Sequence, residues 1–498
     1  MDKLELLKSI SFGARVAEEE ITELAKYFVE TDQWSRMING EIDIVRGDKG
    51  AGKSAIYSLL ITRESEFFDR NTLLVPGEKP RGTPVFKDII ANPPTTEVEF
   101  VGLWKLYTLA LVGRKMREWD IKNAAAEKVY SNLESARLLD REYDLSGILR
   151  AVQDLARRLF QAESVEGGLT IEAATGLPNG ITGKITLREP ALALRDRGFL
   201  TVDRLIAYAN TALEEAGMRV WLLLDRLDVA FAETHELERN ALRALFRVYR
   251  DLAEHDAIKL KIFLRSDIWT RITDGGFREA SHITKVVVLD WNQASLLNLV
   301  IRRVISNHDL VQVLNIDRDK ILSDFNAQKD LFYRVFPAQV DQGSKKPPTL
   351  DWMISRCADG ASRKTAPREL IHLLTSLRDK EIGRLELGEP PAPGEQLFDR
   401  SVFKEALSIV SETRYNQNLL AEHPDLKEIL AKLNGEKTEQ TVDTLAELWE
   451  MDRDQAVALA QRLVEIGFFE LRGSKDAQTF WVPFLFRDAL SMSQGLAE

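Results

Sequence analysis

The feature that most narrows the fold of this 498-residue chain is a run of eight residues, Gly47 to Ser54, which reads GDKGAGKS. The run matches the pattern G-x-x-x-x-G-K-[ST] in full and lies between a β-rich run that ends at Gly47 and an apolar helical run, Ala55 to Ile61. Glycines in such a loop let consecutive backbone N–H groups curl around phosphate oxygens, and the following helix adds the positive end of its dipole. The sequence therefore predicts a phosphate-binding loop in an α/β fold.

The residues of this loop divide among three tasks. Lys53 is expected to reach the β- and γ-phosphates of ATP, and Ser54 is expected to ligate Mg²⁺. The other contacts to the nucleotide are assigned to Gly47, Asp48, Lys49, Gly50, Ala51, Gly52 and Ala55. The alternative is a glycine-rich turn that only caps a helix, which would need neither the Lys-Ser pair nor so many glycines. The guanine-reading pattern N-K-x-D is missing from the sequence, which favours ATP over GTP.

A second carboxylate for the metal is predicted at the end of the apolar run Trp221 to Leu224, where Asp225 follows. The alternative role for Asp225 is to cap the next helix. Asp228 lies three residues later and is expected to orient the attacking water. Arg226 occupies the position where many such ATPases carry a catalytic glutamate, so the sequence predicts slow hydrolysis. A scaffold that binds nucleotide without hydrolysing it remains a further hypothesis.

Arg265 follows another predicted strand, Lys261 to Leu264. Ligands of open α/β sheets lie beyond the carboxyl ends of the strands, so Arg265 is predicted to contact the γ-phosphate. The alternative is a surface arginine paired with Asp267. One arginine after one strand does not separate these two interpretations.

Composition and pattern divide the chain into four segments. We assign residues 1–310 to a P-loop ATPase core with an N-terminal helix, 311–387 to a helical lid, 388–397 to a Pro-rich linker and 398–498 to a winged-helix domain. Within the core, residues 105–190 are expected to form a helical and β-hairpin insertion, with the hairpin between Gly167 and Leu187. The predicted fold class is α/β: a P-loop NTPase parallel sheet flanked by helices, with a helical lid and a C-terminal winged helix.

The winged-helix assignment depends on two helical runs, Thr441 to Trp449 and Asp454 to Ile466, followed by a hairpin pattern. From residue 401 to 498 the chain has 10 Lys and Arg against 17 Asp and Glu, a net charge of −7. This charge favours a protein partner over DNA, although Arg472 and Lys475 at the wing are basic. The aromatic residues of the domain are expected to form its core: Trp449, Phe468, Phe469, Phe480 and Trp481.

Whole-chain composition excludes several other classes of protein. Hydrophobic residues make up 44% and charged residues 29%, which is typical of a globular protein, and the net charge is −11. The surface as a whole therefore repels nucleic acid and anionic membranes. The densest apolar run, residues 220–224, is too short to cross a bilayer. The single cysteine, Cys357, cannot form an intramolecular disulfide, and a cytoplasmic location is expected.

Together these motifs resemble the STAND and AAA+ families of P-loop ATPases, and in particular a prokaryotic branch of them. The resemblance covers most of the chain and is weakest over residues 116–190. The segments that carry it are the phosphate-binding loop, residues 222–228 (LLLDRLD), residues 263–267 (FLRSD), residues 367–370 (PREL) and the early pairs Phe12-Gly13 and Ala17-Glu18.

The resemblance implies that Arg265 is a sensor residue and that Arg368 is the arginine of a lid over the nucleotide, as in origin-recognition ATPases. The chain departs from the STAND pattern at Arg226, where an acid is expected, which implies a slow switch rather than a rapid motor. Related genes occur near phage-defence genes, which implies a defence context, with a protein partner or self-association as the output. The alternative is a DNA-associated loader or initiator-like ATPase that binds duplex DNA through its winged helix.

Overall fold

The structure is a computed structural model. It describes residues 2–14, 19–20, 24–28, 32–79, 85–91, 94, 96–140, 142–164, 184–190, 192–227, 235–274, 276–360, 363–474 and 477–497.

The strands are numbered in chain order. They are β1 (Ile44–Gly47), β2 (Thr72–Pro76), β3 (Ile185–Thr186), β4 (Leu200–Thr201), β5 (Arg219–Leu224), β6 (Ile258–Arg265), β7 (Val286–Val288), β8 (Lys437–Thr441), β9 (Glu470–Ser474), β10 (Ala477–Trp481) and β11 (Ser493–Leu496).

The helices are referred to by their bounds. Those that precede residue 290 are Lys3–Ser9, Leu24–Tyr27, Asp32–Ile38, Lys53–Thr62, Glu64–Phe68, Glu97–Glu118, Ala124–Ser135, Leu145–Ser164, Leu192–Arg195, Val202–Glu215, His235–Asp251 and Ser266–Thr273. Those that follow are Gln293–Ile305, His308–Val313, Arg318–Ser323, Phe325–Val335, Thr349–Arg356, Pro367–Glu386, Val402–Thr413, Leu420–Glu422, Lys427–Ala431, Val442–Trp449, Arg453–Glu465 and Phe484–Arg487. A π-helical stretch, Arg414–Leu419, continues the helix Val402–Thr413. Among the described residues, no helix is both long and apolar enough to cross a membrane.

The chain divides into two compact units. The sheet unit comprises Glu30–Asp48 and Gly52–Leu289, and the helical unit comprises Met1–Val29, Lys49–Ala51 and Asp290–Glu498.

The sheet unit contains a parallel sheet with the strand order β2–β5–β6–β1–β7. The strand β5 is continuously apolar from Val220 to Leu224, as expected of a parallel strand covered on both faces, whereas β6 (IKLKIFLR) includes Lys259 and Lys261 among its apolar residues. The strands β1, β5 and β6 agree with the strands predicted from sequence, and so does the helix Lys53–Thr62. The edge strand β2, which pairs with β5 from Thr72 opposite Arg219, was not predicted.

The helices predicted to form an insertion share one hydrophobic core with the sheet. Trp104 of the helix Glu97–Glu118 is 1% exposed, and its indole N–H donates to the carbonyl of Ala241, 2.8 Å away. Most of the predicted hairpin, residues 167–183, lies outside the described residues. Its described end, β3, pairs in parallel with β4. These helices are therefore part of the sheet unit's packing.

The helical unit has its own core, which runs from the N-terminal helix Lys3–Ser9 through the helix Pro367–Glu386 to the last strands. The segment predicted as a linker packs in this unit: Ala392 is 3% exposed. The Lys3 ammonium donates to the carbonyls of Gly394 and Gln396 at 2.7 and 2.8 Å. Near the C-terminus, the helices Val442–Trp449 and Arg453–Glu465 are followed by the antiparallel pair β9 and β10, the element order that the sequence predicts.

Candidate functional site

The loop from Gly47 to Ser54 joins β1 to the helix Lys53–Thr62. Gly50 has a φ of 83° and Gly52 a φ of 100°, conformations that L side chains rarely adopt. Gly52 occupies the N-cap position and has no side chain to bond the first N–H groups of the helix. These N–H groups point from the start of the helix toward the loop, which is the arrangement that binds anions.

The Lys53 ammonium lies over the same loop. It donates to the carbonyl oxygens of Gly47 at 2.9 Å and Asp48 at 3.0 Å. The ammonium is thereby held beside a turn rich in backbone N–H groups. A phosphate bound in this turn would contact both the positive charge and the N–H donors. Contact of Lys53 with the β- and γ-phosphates of ATP stays a prediction from the sequence.

The tip of the loop, Lys49–Ala51, is packed by other residues of the helical unit. The indole N–H of Trp291 donates to the carbonyl of Ala51 at 2.9 Å, and Lys49 forms an ion pair with Glu422. A β-carbon built on Gly50 would lie 3.1 Å from the β-carbon of Arg368. Arg368, predicted from the family resemblance, therefore lies beside the middle glycine of the loop.

Asp225 follows β5 and is 3% exposed. Burial raises the pKa of Tyr57, and the charge of Asp225 is the next largest cause. Tyr57 lies on the helix Lys53–Thr62, three residues after Ser54, so both side chains share one face of that helix. The charge of Asp225 therefore acts on the helix that carries Ser54, the other predicted magnesium ligand. Among the described residues, no cluster of three or more His, Cys, Asp or Glu side chains could hold a metal ion.

A buried carboxylate next to this strand end, Glu78, is missing from the sequence-based site. The amide of Gly77 donates to the carbonyl of Leu223 at 2.8 Å, so Glu78 lies at the edge where β5 ends. Its carboxylate accepts the N–H groups of Lys79 at 2.7 Å and Val85 at 2.9 Å. Burial raises the pKa of Glu78 despite these hydrogen bonds. The signal in the sequence was an apolar run, residues 73–75, that ends near an acid, as the run before Asp225 does.

Arg226 has a φ of 58°, in the left-handed region. Its guanidinium donates to the carbonyl of Lys79 at 3.4 Å. The positive charge of Arg226 also acts on Glu78. It lowers the pKa of Glu78 and so opposes the larger effect of burial, which raises that pKa. The side chain at the position expected for a catalytic glutamate is therefore directed to the segment that follows β2. Asp228, predicted to orient water, lies outside the described residues.

Arg265 ends β6 and is the register partner of Gly47 on β1. Its guanidinium makes two hydrogen bonds to the carboxylate of Asp267, each 3.0 Å long. Burial alone would raise the pKa of Asp267, yet the charge of Arg265 holds that pKa below its usual range. Arg265 thus lies at the predicted edge of the loop, and the pairing with Asp267 that the sequence left open is present.

No protein-family model matches the sequence, and a search of curated proteins finds no match. One similar solved structure is the Walker-type ATPase PABY2304 of Pyrococcus abyssi, with 10% identity, a TM-score of 0.40, and 93% of this chain and 96% of that chain covered. Another is the ORC2 protein of Aeropyrum pernix in ADPNP–ADP complexes, with 11% identity, a TM-score of 0.29, and coverage of 92% and 91%. Because both TM-scores are low, the roles proposed below depend on this chain's own residues.

Proposed function

We propose that this chain is a Mg²⁺-dependent ATPase that hydrolyses ATP slowly and acts as a nucleotide-dependent switch. The observation that carries the proposal is the position of the Lys53 ammonium, which spans the carbonyls of a glycine loop at the start of an uncapped helix. A glycine turn without this lysine would place no positive side-chain charge opposite a triphosphate.

The residues of the site fit ATP and Mg²⁺. The loop N–H groups and Lys53 would hold the phosphates, while the hydroxyl of Ser54 and the buried carboxylate of Asp225 would hold the metal. A bound Mg²⁺ supplies positive charge at the phosphate oxygens. Mg²⁺ is usually bound by one or two protein oxygens together with phosphates, so these two side chains are sufficient.

Slow hydrolysis is proposed from the residue at position 226. A catalytic carboxylate there would face the attacking water, whereas Arg226 is directed to the carbonyl of Lys79. Asp228 remains the proposed residue for orienting water. Arg265 would reach the γ-phosphate once its ion pair with Asp267 breaks. The Asp267 carboxylate and the nucleotide would therefore compete for the Arg265 guanidinium.

The switch is supported by the residues that pack the loop tip in the helical unit. Lys49 is paired with Glu422, and the carbonyl of Ala51 accepts from Trp291. A phosphate bound by the same loop would attract Lys49 and so weaken the pair with Glu422. We propose a cytoplasmic role with a protein partner or self-association as the output, in the phage-defence context that the family resemblance implies.

The experiment compares ATP affinity of the wild type and the variant Lys53→Ala by titration with a fluorescent ATP analogue. Affinity should fall at least about tenfold, because hydrogen bonds to charged groups contribute about 1.5–3 kcal/mol each. Lys122→Ala is the matched control, because Lys122 is an exposed lysine paired with Asp120 in the same unit. Equal affinity in the wild type and Lys53→Ala would overturn nucleotide binding at this loop.

A second candidate function, DNA binding, is favoured by a column of arginine and aromatic side chains near β10. Arg487 lies 4.3 Å from the ring centre of Trp481 and 3.9 Å from that of Phe484. Arg472 lies 3.7 Å from the ring centre of Trp481, and Arg356 lies 3.5 Å from that of Phe484. Trp481 is therefore partly exposed and stacked, not a core residue as the sequence suggested, whereas Phe480 is 1% exposed.

Three arginines lie close together in this column, and Glu470 accepts from the Arg472 guanidinium at 2.9 Å. Burial, followed by the charges of Arg356 and Arg472, lowers the pKa of Arg487 to about 10. DNA phosphates would supply compensating charge at the partly exposed guanidinium groups of Arg356 and Arg472.

A gel shift with duplex DNA at low and raised salt, with and without ATP, tests this second function. The double variant Arg356→Gln/Arg472→Gln should abolish a shift that the wild type gives at low salt. The control is Arg453→Gln, which removes an exposed arginine at the start of the helix Arg453–Glu465. Absence of any shift at low salt would exclude DNA binding.

A further inference from the structure

A polar cleft lies at the amino ends of β1 and β6, at the opposite end of β1 from Gly47. It has a volume of about 250 Å³ and is lined by Asp43, Tyr249, Arg250, Lys259, His282 and Lys285, among others. We propose that this cleft is a second binding site, which takes a small ligand through a phosphate or pyrophosphate group. The proposal is independent of the nucleotide function, because none of these residues belongs to the phosphate-binding loop.

The floor of the cleft is already neutral. Asp43 is 4% exposed, and its carboxylate accepts from the Lys261 ammonium at 2.8 Å and from the Tyr249 hydroxyl at 3.1 Å. Lys261, which is 1% exposed, also donates to the carbonyl of Ile42 at 2.6 Å. One buried carboxylate and one buried ammonium cancel, so Asp43 presents no net charge that would repel an anion from the cleft.

The outer wall of the cleft is cationic. The Lys285 ammonium lies 3.9 Å from the carboxylate of Asp43, and the Lys259 ammonium lies 3.9 Å from that of Asp256. Both separations are too long for hydrogen bonds, so these ammonium groups keep donors for a ligand. Asp256 has 94% of its side chain exposed, so water screens its charge. With the exposed Arg250, three cations therefore surround a floor without net charge.

These cations also oppose one another. Burial lowers the pKa of Lys259, and the charge of Lys285 adds to that shift. An anion between the two ammonium groups would reverse this repulsion. Because three cations face a neutral floor, a ligand with two or more negative charges matches the cleft better than a single carboxylate does.

The size of the cleft limits the rest of the ligand. Clefts that enclose drug-sized molecules usually have volumes of about 300–1,000 Å³, so a volume of about 250 Å³ suits a smaller molecule. The ligand class is therefore inorganic phosphate or pyrophosphate, or the phosphate ester of a short carbon skeleton.

Calorimetric titration of the variant Lys53→Ala with pyrophosphate and with glycerol phosphate tests the site, since the substitution removes the lysine of the phosphate-binding loop. We expect saturable binding of at least one probe at one site per chain. In the same background, Arg250→Ala/Lys285→Ala should weaken that binding at least about tenfold, because hydrogen bonds to charged groups are lost. Lys122→Ala, which removes an exposed lysine elsewhere in the sheet unit, should leave it unchanged.

Binding of glycerol phosphate, with or without binding of pyrophosphate, assigns the site to phosphate esters, and binding of pyrophosphate alone assigns it to the free anion. If neither probe binds, or if Arg250→Ala/Lys285→Ala binds as tightly as its parent, the proposal is wrong. Circular dichroism of each variant separates lost binding from lost folding. The reversed-charge variant Lys285→Glu, which should also abolish binding, provides a second measurement. Because Lys53 is already replaced, these outcomes do not depend on whether the loop binds ATP.

Discussion

Arg265 stands directly opposite Gly47 in the register of β6 and β1. The last residue of one strand therefore lies beside the glycine that begins the phosphate-binding loop, while its guanidinium is held by Asp267 through two 3.0 Å hydrogen bonds. Arg271 extends this network, since it donates to the buried Glu238 at 2.9 Å and lies 3.8 Å from Asp267.

Replacement of Asp267 by Asn should release Arg265 toward the nucleotide. Partly exposed ion pairs contribute up to about 1 kcal/mol, so ATP affinity should rise about two- to fivefold. Titration with a fluorescent ATP analogue measures the change, and Arg265→Ala should lower affinity in the same assay. Asp256→Asn, which removes an exposed carboxylate, is the control. A loss of affinity in Asp267→Asn would show that the ion pair supports binding instead.

Replacement of Asp225 by Asn should separate nucleotide binding from hydrolysis. The variant keeps the shape of the side chain and loses the charge that would hold the metal, so Mg²⁺-dependent phosphate release should become undetectable. Binding measured in EDTA should stay within about threefold of the wild type, because the loop and Lys53 are intact. Release at the wild-type rate would mean that Asp225 only caps the following segment.

Replacement of Trp104 by Phe should destabilise the sheet unit. The substitution removes the 2.8 Å hydrogen bond to Ala241 and leaves a cavity beside that carbonyl. The free energy of unfolding in urea should fall by about 1–3 kcal/mol. Leu192→Ala, at a side chain that is 76% exposed, should change it by less than about 0.5 kcal/mol. Equal stability of Trp104→Phe and the wild type would mean that this helix does not share the core.

Glu78 should make stability depend on pH. Its pKa in the folded chain is raised above the ordinary value of 4.5, so the folded state binds its proton more tightly than the unfolded state does. The free energy of unfolding, relative to Glu78→Gln, should therefore fall as pH rises from 4.5 through the raised pKa, and stay constant above and below that window. Urea unfolding of both proteins from about pH 4 to 8 measures the difference. A difference that grows with pH contradicts the assignment.

Removal of only one partner of the buried ion pair between Asp43 and Lys261 should lower the free energy of unfolding strongly. Asp43→Ala leaves the Lys261 ammonium buried without its carboxylate and should lower the free energy of unfolding by about 3–5 kcal/mol. The double variant Asp43→Asn/Lys261→Met removes both charges and should lose less. Thermal or urea unfolding of the three proteins is sufficient, and a double variant less stable than Asp43→Ala would refute this account.

The strands β1, β5 and β6 could be predicted because short apolar runs, each followed by a loop or a charged residue, have few other interpretations. The strand β2 could not, because it ends in Pro76, and proline normally argues against a strand. Pro76 is tolerated because β2 is an edge strand, where a missing N–H breaks no ladder on the open side. Glu78 was missed with it.

The sequence could not predict which groups the side chains contact, for a different reason. Arg265 after an apolar run is compatible with a phosphate contact or with Asp267, and only the packing of β6 against its neighbours decides which group lies near. The same holds for Trp481. An aromatic residue in an alternating strand pattern predicts a buried face, whereas here Arg472 and Arg487 cover its ring.

The helical unit is assembled from segments at the two ends of the chain, and this has a consequence for synthesis on the ribosome. Lys3 cannot reach its acceptor on Gly394 until about 390 further residues have been added, which takes about 20–80 s at about 5–20 residues per second. During that time the sheet unit can complete its own core, because its residues 52–289 are contiguous. Leu6, Leu7 and Phe12 are almost fully buried in the finished unit. Until residues 290–498 have been synthesised, these side chains lack most of the core against which they pack. The apolar residues of the helix Lys3–Ser9 are therefore open to aggregation during this interval, and slower synthesis would lengthen it.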